Sequence, residues 1–166
     1  MNLKPDYYVP SIQNIDFQVL IERGVRLLLL DVDNTIVPFK ESLPDEDVRL
    51  WIQEGRKQGL DFTLVSNAYP RRVEIIAKAL DVSYVYMAKK PFPGGVRESL
   101  KKNGAGPEEA IMVGDQIFTD VLAARLAGVP SILVDPLTKS DFFMTKIYRI
   151  LEFFVKGRLS HEEMGK

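Results

Sequence analysis

Leu27-Leu28-Leu29-Leu30-Asp31-Val32-Asp33-Asn34-Thr35 is the stretch on which the fold turns. An apolar run this short, bounded by Gly24 and Pro38, fits a strand buried on both faces. Asp31 and Asp33 stand where that strand gives way to a loop, and a local bend brings both carboxylates round one spot. Two adjacent carboxylates repel, so the pair makes sense as a site when a cation, or a phosphate bound with a cation, sits between them. The bland alternative is a strand followed by an Asx turn in which Asp33-Asn34 only cap backbone, so support must come from elsewhere in the chain.

Outward from that strand the pattern repeats. Residues 1–24 read as an extended arm covering the sheet edge (Tyr7-Tyr8-Val9-Pro10) and one helix ending near Gly24. Asp45, Glu46 and Asp47 load the first turn of a helix whose apolar positions run from Val48 to Ile52. Phe62–Val65 is a second buried strand ending in Ser66-Asn67, and Pro70 opens a helix packed through Val73, Ile75, Ile76, Ala79 and Leu80. A short strand near Tyr84–Tyr86 leads to Lys89-Lys90-Pro91, and a helix runs from Val96 to Lys102. Ala110–Val113 is a strand stopping at Gly114-Asp115, followed by a helix over about Val121–Leu126 and a last strand, Ser131–Val134. Strands alternating with helices predict an α/β, doubly wound parallel sheet with right-handed crossovers and helices on both faces. The expected organisation is one domain over 1–166: an arm and helix (1–24), a core (25–136) and a C-terminal amphipathic helix (140–159).

Composition narrows the chemistry. Of 166 residues, 46% are hydrophobic and 27% charged, as in ordinary soluble domains, and the net charge of −1 gives no overall attraction to nucleic acid. No cysteine is present, which removes disulfides, thiolate metal sites and cysteine nucleophiles. The single histidine, His161, lies in a polar tail, so Ser-His-Asp catalysis and histidine-rich metal sites are disfavoured. The opening MNLKPDYY lacks a signal-peptide pattern and no apolar run reaches a membrane span, so a cytoplasmic location is expected.

Four strands thus end in polar residues: Asp31/Asp33, Ser66-Asn67, Lys90 and Asp115. Open parallel sheets bind ligands outside the carboxyl ends of their strands. One chemistry explains the set: Mg²⁺-dependent phosphoryl transfer through an aspartyl-phosphate. Magnesium takes hard oxygen ligands such as Asp31 and Asp115. A carboxylate nucleophile splits ester hydrolysis into two displacements. Asp33 can protonate the leaving oxygen and deprotonate water. Ser66 and Lys90, with amides near residues 67–70, can hold phosphate oxygens.

These residues resemble the four motifs of haloacid dehalogenase (HAD) superfamily phosphatases, in order: Asp31-Val32-Asp33-Asn34-Thr35, Ser66-Asn67-Ala68, Lys90-Pro91-Phe92-Pro93, and Gly114-Asp115-Gln116 through Thr119-Asp120. The resemblance implies a three-layer Rossmann-like core. By it, Asp31 is nucleophile and metal ligand, and Asp33 is acid/base with its carbonyl on the metal. Ser66, Asn67 and Lys90 bind phosphate, Asp115 completes the Mg²⁺ site, and Asp120 orients Lys90 or the water shell, or sits on its helix as a solvated acid. Asn34 replaces the family's usual glycine. The intervals from Asp33 to Ser66 and from Ser66 to Lys90 hold too few elements for a cap domain, so the site should be open.

The motif set, with Pro10-Ser11-Ile12 and Gly24-Val25, resembles the capless class IIIA branch, which includes phosphatidylglycerophosphate phosphatases. That implies a phosphorylated substrate, with this lipid one candidate. Nucleotide or sugar phosphates, with a cap borrowed through homo-oligomerisation, form the alternative. A partner-binding or phospho-accepting protein without turnover is the non-enzymatic reading. Phe143, Ile147, Ile150, Leu151 and Phe154 fall at helical spacing, with Lys146, Arg149 and Lys156 off that stripe. Residues 141–159 therefore suit packing on the core, dimerisation or peripheral contact with an anionic inner membrane face.

Overall fold

Leu27–Leu30 forms strand β2, and all four leucines are buried. In the computed structural model, which describes residues 3–138, their alternation separates two cores. Leu28 and Leu30 face one hydrophobic cluster, Leu27 and Leu29 the other. A strand with apolar groups on both sides must be covered on both sides. Helices α1 (Phe17–Glu22), α2 (Glu46–Lys57) and α3 (Pro70–Leu80) cover the first face. Helices α4 (Gly94–Asn103) and α5 (Leu122–Ala127) cover the second. The result is three layers around one sheet.

The other strands are β1 (Tyr7–Val9), β3 (Asp61–Val65), β4 (Ser83–Val85), β5 (Ala110–Gly114) and β6 (Ser131–Val134). All pair parallel in the order β1-β6-β5-β2-β3-β4. The chain winds one way from β2 through β3 to β4 and the other way from β5 to β6. The switch point therefore lies between β2 and β5, where such sheets place ligands. Register brings Leu30 opposite Leu64 on β3 and Val113 on β5. Two residues further on, Ser66 and Asp115 flank the turn that carries Asp31 and Asp33.

The α/β, doubly wound arrangement agrees with the sequence reading, and among the described residues no inserted domain covers the carboxyl edge. Three local expectations change. The N-terminal arm is itself a strand: Tyr7–Val9 pairs with Ile132–Val134, anchored where the Ser131 amide donates to Asp6 at 2.8 Å. The helix expected from Val121 is preceded by a π-helical turn, Ile117–Val121. The strand expected near Tyr84–Tyr86 lies one residue earlier, at Ser83–Val85. The helix expected over residues 140–159 lies outside the described residues.

The first face is packed with aromatic groups. The Phe17 and Trp51 rings lie 5.1 Å apart between centroids, and Trp51 meets Phe62 edge-on at 5.4 Å. Gly55 of α2 permits this approach, because a Cβ there would run into the Phe62 ring.

Candidate active site

Asp31 leaves β2 with its amide still in the sheet, donating to the Val113 carbonyl at 2.9 Å. Its carboxylate is engaged at both oxygens. Lys90 Nζ donates to Oδ1 at 2.6 Å, and Thr35 Oγ1 donates to Oδ2 at 3.1 Å. Thr35 also lies 3.5 Å from Asp115 Oδ1, so it bridges the carboxylates at the ends of β2 and β5.

Lys90 is buried between two acids, 2.6 Å from Asp31 and 2.6 Å from Asp120. Burial works against its charge, but Asp120 and Asp31 more than offset this, so its pKa lies above that of an ordinary lysine. The loop that delivers it is over-determined. Met87 and Lys89 both adopt positive φ, at 46° and 54°, conformations that persist only where the surroundings impose them. The Ala88 amide donates to the Ser66 carbonyl at 2.9 Å. The Lys90 amide donates to Asn67 Oδ1 at 2.7 Å, and Asn67 Nδ2 donates back to the Lys90 carbonyl at 2.9 Å. Asn67, expected to bind phosphate, thus commits its side-chain amide to the backbone of Lys90.

Asp120 is no solvated helix acid. The π-helical turn swings it inward, where Oδ1 meets Lys90 and Oδ2 accepts from the Gln116 amide at 3.1 Å. Gly114 makes room for it: a Cβ at that position would clash with the Asp120 side chain. Burial pushes the Asp120 pKa upward and Asp31 adds to the rise, against the pull of Lys90.

Asp33 points elsewhere. Arg72, on the first turn of α3, donates through Nε to its Oδ1 at 2.9 Å, with Nη2 at 2.8 Å and Nη1 bound to the Glu41 carbonyl at 2.7 Å. Burial raises the Asp33 pKa; Arg72 opposes that rise, and Asp31 reinforces it. Ser66 is buried at the end of β3, where its hydroxyl accepts from the Ala68 amide at 3.1 Å and keeps a hydrogen to donate.

Asp31, Asp115 and Asp120 offer carboxylate oxygens within 4.8 Å of one another, all buried. Three carboxylates stand against the one neighbouring ammonium, that of Lys90, a surplus of acidic groups in a dry site. Such a surplus is costly unless a cation compensates it. An all-oxygen donor set with that surplus fits a hard divalent ion such as Mg²⁺. The Asp33 carboxylate, turned toward Arg72, stands outside this group.

The family model for HAD-hydrolase-like proteins matches residues 87–136. The probable phosphatase YqeG of Bacillus subtilis is 33% identical over 167 residues, covering 96% of each chain. The chain belongs to the HAD superfamily of phosphatases. Another similar protein is the chloroplastic/mitochondrial phosphatidylglycerophosphate phosphatase 1 of Arabidopsis thaliana. It is 27% identical over 158 residues, 88% of this chain, and this chain spans 45% of its length. Among solved structures, the cobalt-bound deoxy-D-mannose-octulosonate 8-phosphate phosphatase of Haemophilus influenzae superposes with a TM-score of 0.54. That match covers 84% of this chain and 91% of that one at 14% identity, a likeness of fold.

Two residues in or against this HAD phosphatase's site, Thr35 and Arg72, escaped the sequence reading. Thr35 carried a signal, four residues beyond Asp31 within the quoted motif. Arg72 carried none, because its partner Asp33 is 39 residues away in sequence. Asn67 was visible, but its attachment to Lys90 was not.

Proposed function

We propose that this phosphatase hydrolyses a phosphomonoester through a phosphorylated Asp31, with Mg²⁺ held by Asp31, Asp115 and the main-chain carbonyl of Asp33. The observation that carries this reading is the Asp31–Lys90–Asp120 cluster, a nucleophile-sized carboxylate fixed at both oxygens at the mouth of the switch point. Bound Mg²⁺ would neutralise the carboxylate surplus and the incoming phosphate charge.

An Asp31 oxygen attacks phosphorus; the bond from phosphorus to the leaving oxygen breaks, and that oxygen takes the proton of Asp33. Water then attacks the phosphorus and returns a proton to Asp33, while the Asp31–phosphorus bond breaks and inorganic phosphate leaves. Lys90 and the Ser66 hydroxyl hold non-bridging oxygens. Asp120 holds Lys90 in place, since both of its oxygens are already engaged. Asp33 stays outside the carboxylate group so that its proton remains mobile.

The proposed substrate is phosphatidylglycerophosphate presented at a bilayer surface, as the name of the Arabidopsis relative suggests. Phe39, Tyr69, Tyr86, Met87 and Phe92 are all exposed, on the loops that follow β2, β3 and β4 at the carboxyl edge. Large apolar groups gathered at the rim of an uncapped site suit an interfacial substrate. Residues 141–159, by their sequence, would add a second apolar and basic contact.

The test is phosphate release from phosphatidylglycerophosphate in mixed micelles, from nucleotides and sugar phosphates, and from an aryl phosphate. Asp31→Asn serves as the blank and a chelator arm removes Mg²⁺. The expected result is strong preference for the lipid, loss with chelator, and a drop of about 10⁴-fold or more in Asp31→Asn. Full activity in Asp31→Asn would overturn the nucleophile; equal turnover of soluble esters would overturn the lipid.

A further inference from the structure

Beside Asp33 lies a groove of about 320 Å³ lined by Ser42, Tyr69, Arg71, Arg72 and Ile75. Tyr69, Arg71, Arg72 and Ile75 come from the N-cap and first half of α3, and Ser42 from the loop after β2. Two of the five lining residues are arginines, none is acidic, and Tyr69 and Ile75 supply apolar surface. Arg72 spans the groove and the catalytic centre, contacting Asp33 at 2.8 Å. Arg71 is exposed beside it, and its charge gives the groove a cation that Asp33 does not consume.

We infer that this groove receives the leaving group and reads a second anionic group on it through Arg71, with Arg72 as the hinge between groove and acid. The inference rests on the hydrolytic reading above, and it names the substrate class: phosphomonoesters whose leaving alcohol carries another phosphate, phosphodiester or carboxylate. A general acid must lie within hydrogen-bond reach of the oxygen it protonates, so the leaving group emerges on the Asp33 side. Arg72, which lines the groove, reaches Asp33 on that side. A guanidinium fork matches phosphate and carboxylate geometry, and Ser42 adds a hydroxyl to the lining. Tyr69 and Ile75 accommodate the carbon chain between the two anions.

The test uses a soluble pair that removes the lipid from the comparison: 3-hydroxypropyl phosphate and propane-1,3-diyl bisphosphate. Each is assayed with wild type, Arg71→Gln and Arg71→Lys. Wild type should prefer the bisphosphate by about tenfold in kcat/KM, above the statistical factor of about two for two reacting phosphates. Arg71→Gln should bring the ratio down to that statistical factor, and Arg71→Lys should keep part of it. A wild-type ratio near two, or a ratio unchanged in Arg71→Gln, overturns the groove assignment and leaves the phosphatase reading standing. If wild type turns over neither ester, the choice of simple esters as substrates fails. Calorimetric binding of the same two compounds to Asp31→Asn protein then decides the groove alone. Tighter bisphosphate binding that Arg71→Gln removes supports it, and equal binding overturns it.

Discussion

Asp31 and Asp33 stand two residues apart and face two different kinds of ion pair. On one side, Asp31 and Asp120 share Lys90, with side-chain exposures between 2% and 10%. On the other, Asp33 shares Arg72, with both side chains about a quarter exposed, at 26% and 27%. The buried pair works in a low dielectric, where a lost partner leaves a charge that cannot return to water. The open pair is screened and can exchange its partner for solvent or substrate. The comparison supports a division of labour under the proposed mechanism, in which the dry cluster fixes geometry and the wet pair would handle a proton and a departing group.

Removing the cation from each side should break the comparison most clearly. Lys90→Met leaves Asp31 and Asp120 without their ammonium. We expect a loss of about 3–5 kcal/mol by denaturant melts in chelator, partly recovered on adding Mg²⁺. The sign of its pH dependence follows from Asp120, whose folded pKa is raised by burial and would rise further without Lys90. The folded state then holds a proton that the unfolded chain has released, so the variant should lose stability as pH climbs above the ordinary Asp range. A variant as stable as wild type at neutral pH would show that the cluster is not electrostatically loaded.

Arg72→Gln should be the mild counterpart. Its stability cost is expected below about 1 kcal/mol, because the pair is partly solvated. Its kcat should nevertheless fall about 10- to 100-fold, because Asp33 loses the group that holds it at the leaving oxygen. A melt shifted as far as that of Lys90→Met would erase the distinction between the two regions.

Much of this layout is legible in the amino-acid order. Short apolar runs ending in Asp31, Ser66 and Asp115 announce buried parallel strands and put polar groups at one edge. Other parts depend on geometry that no residue type declares. The strand Tyr7–Val9 is three residues long at a sheet edge, where periodicity has no room to show. Asp120 is turned inward because the Val121 amide reaches the Gln116 carbonyl five residues back, widening the turn by one residue and changing which face each side chain takes. From the 3.6-residue period alone, Asp120 remains a solvated acid. Asn67, expected from its motif to bind phosphate, holds the Lys90 backbone, a choice made by a loop that the next strand delivers.

Asn34 is the turn between the two regions, and it gives the smallest and sharpest test. Its φ of 62° is left-handed, where glycine is unstrained, asparagine tolerated and alanine costs about 1–2 kcal/mol. Its side chain also works across the molecule: Thr138 Oγ1, beyond β6, donates to Asn34 Oδ1 at 2.7 Å, while the Leu137 amide donates to the Asn34 carbonyl at 2.9 Å. If conformation alone selected this residue, Asn34→Gly would match wild type in a denaturant melt. If the side-chain bond contributes, Asn34→Gly should lose about 0.5–1 kcal/mol, and Asn34→Ala should lose that and the left-handed strain as well. We expect the ordering wild type, glycine, alanine. Alanine no worse than glycine would mean that the turn relaxes out of its left-handed conformation. The bend separating Asp31 from Asp33 would then be imposed by the ion pairs on either side of it.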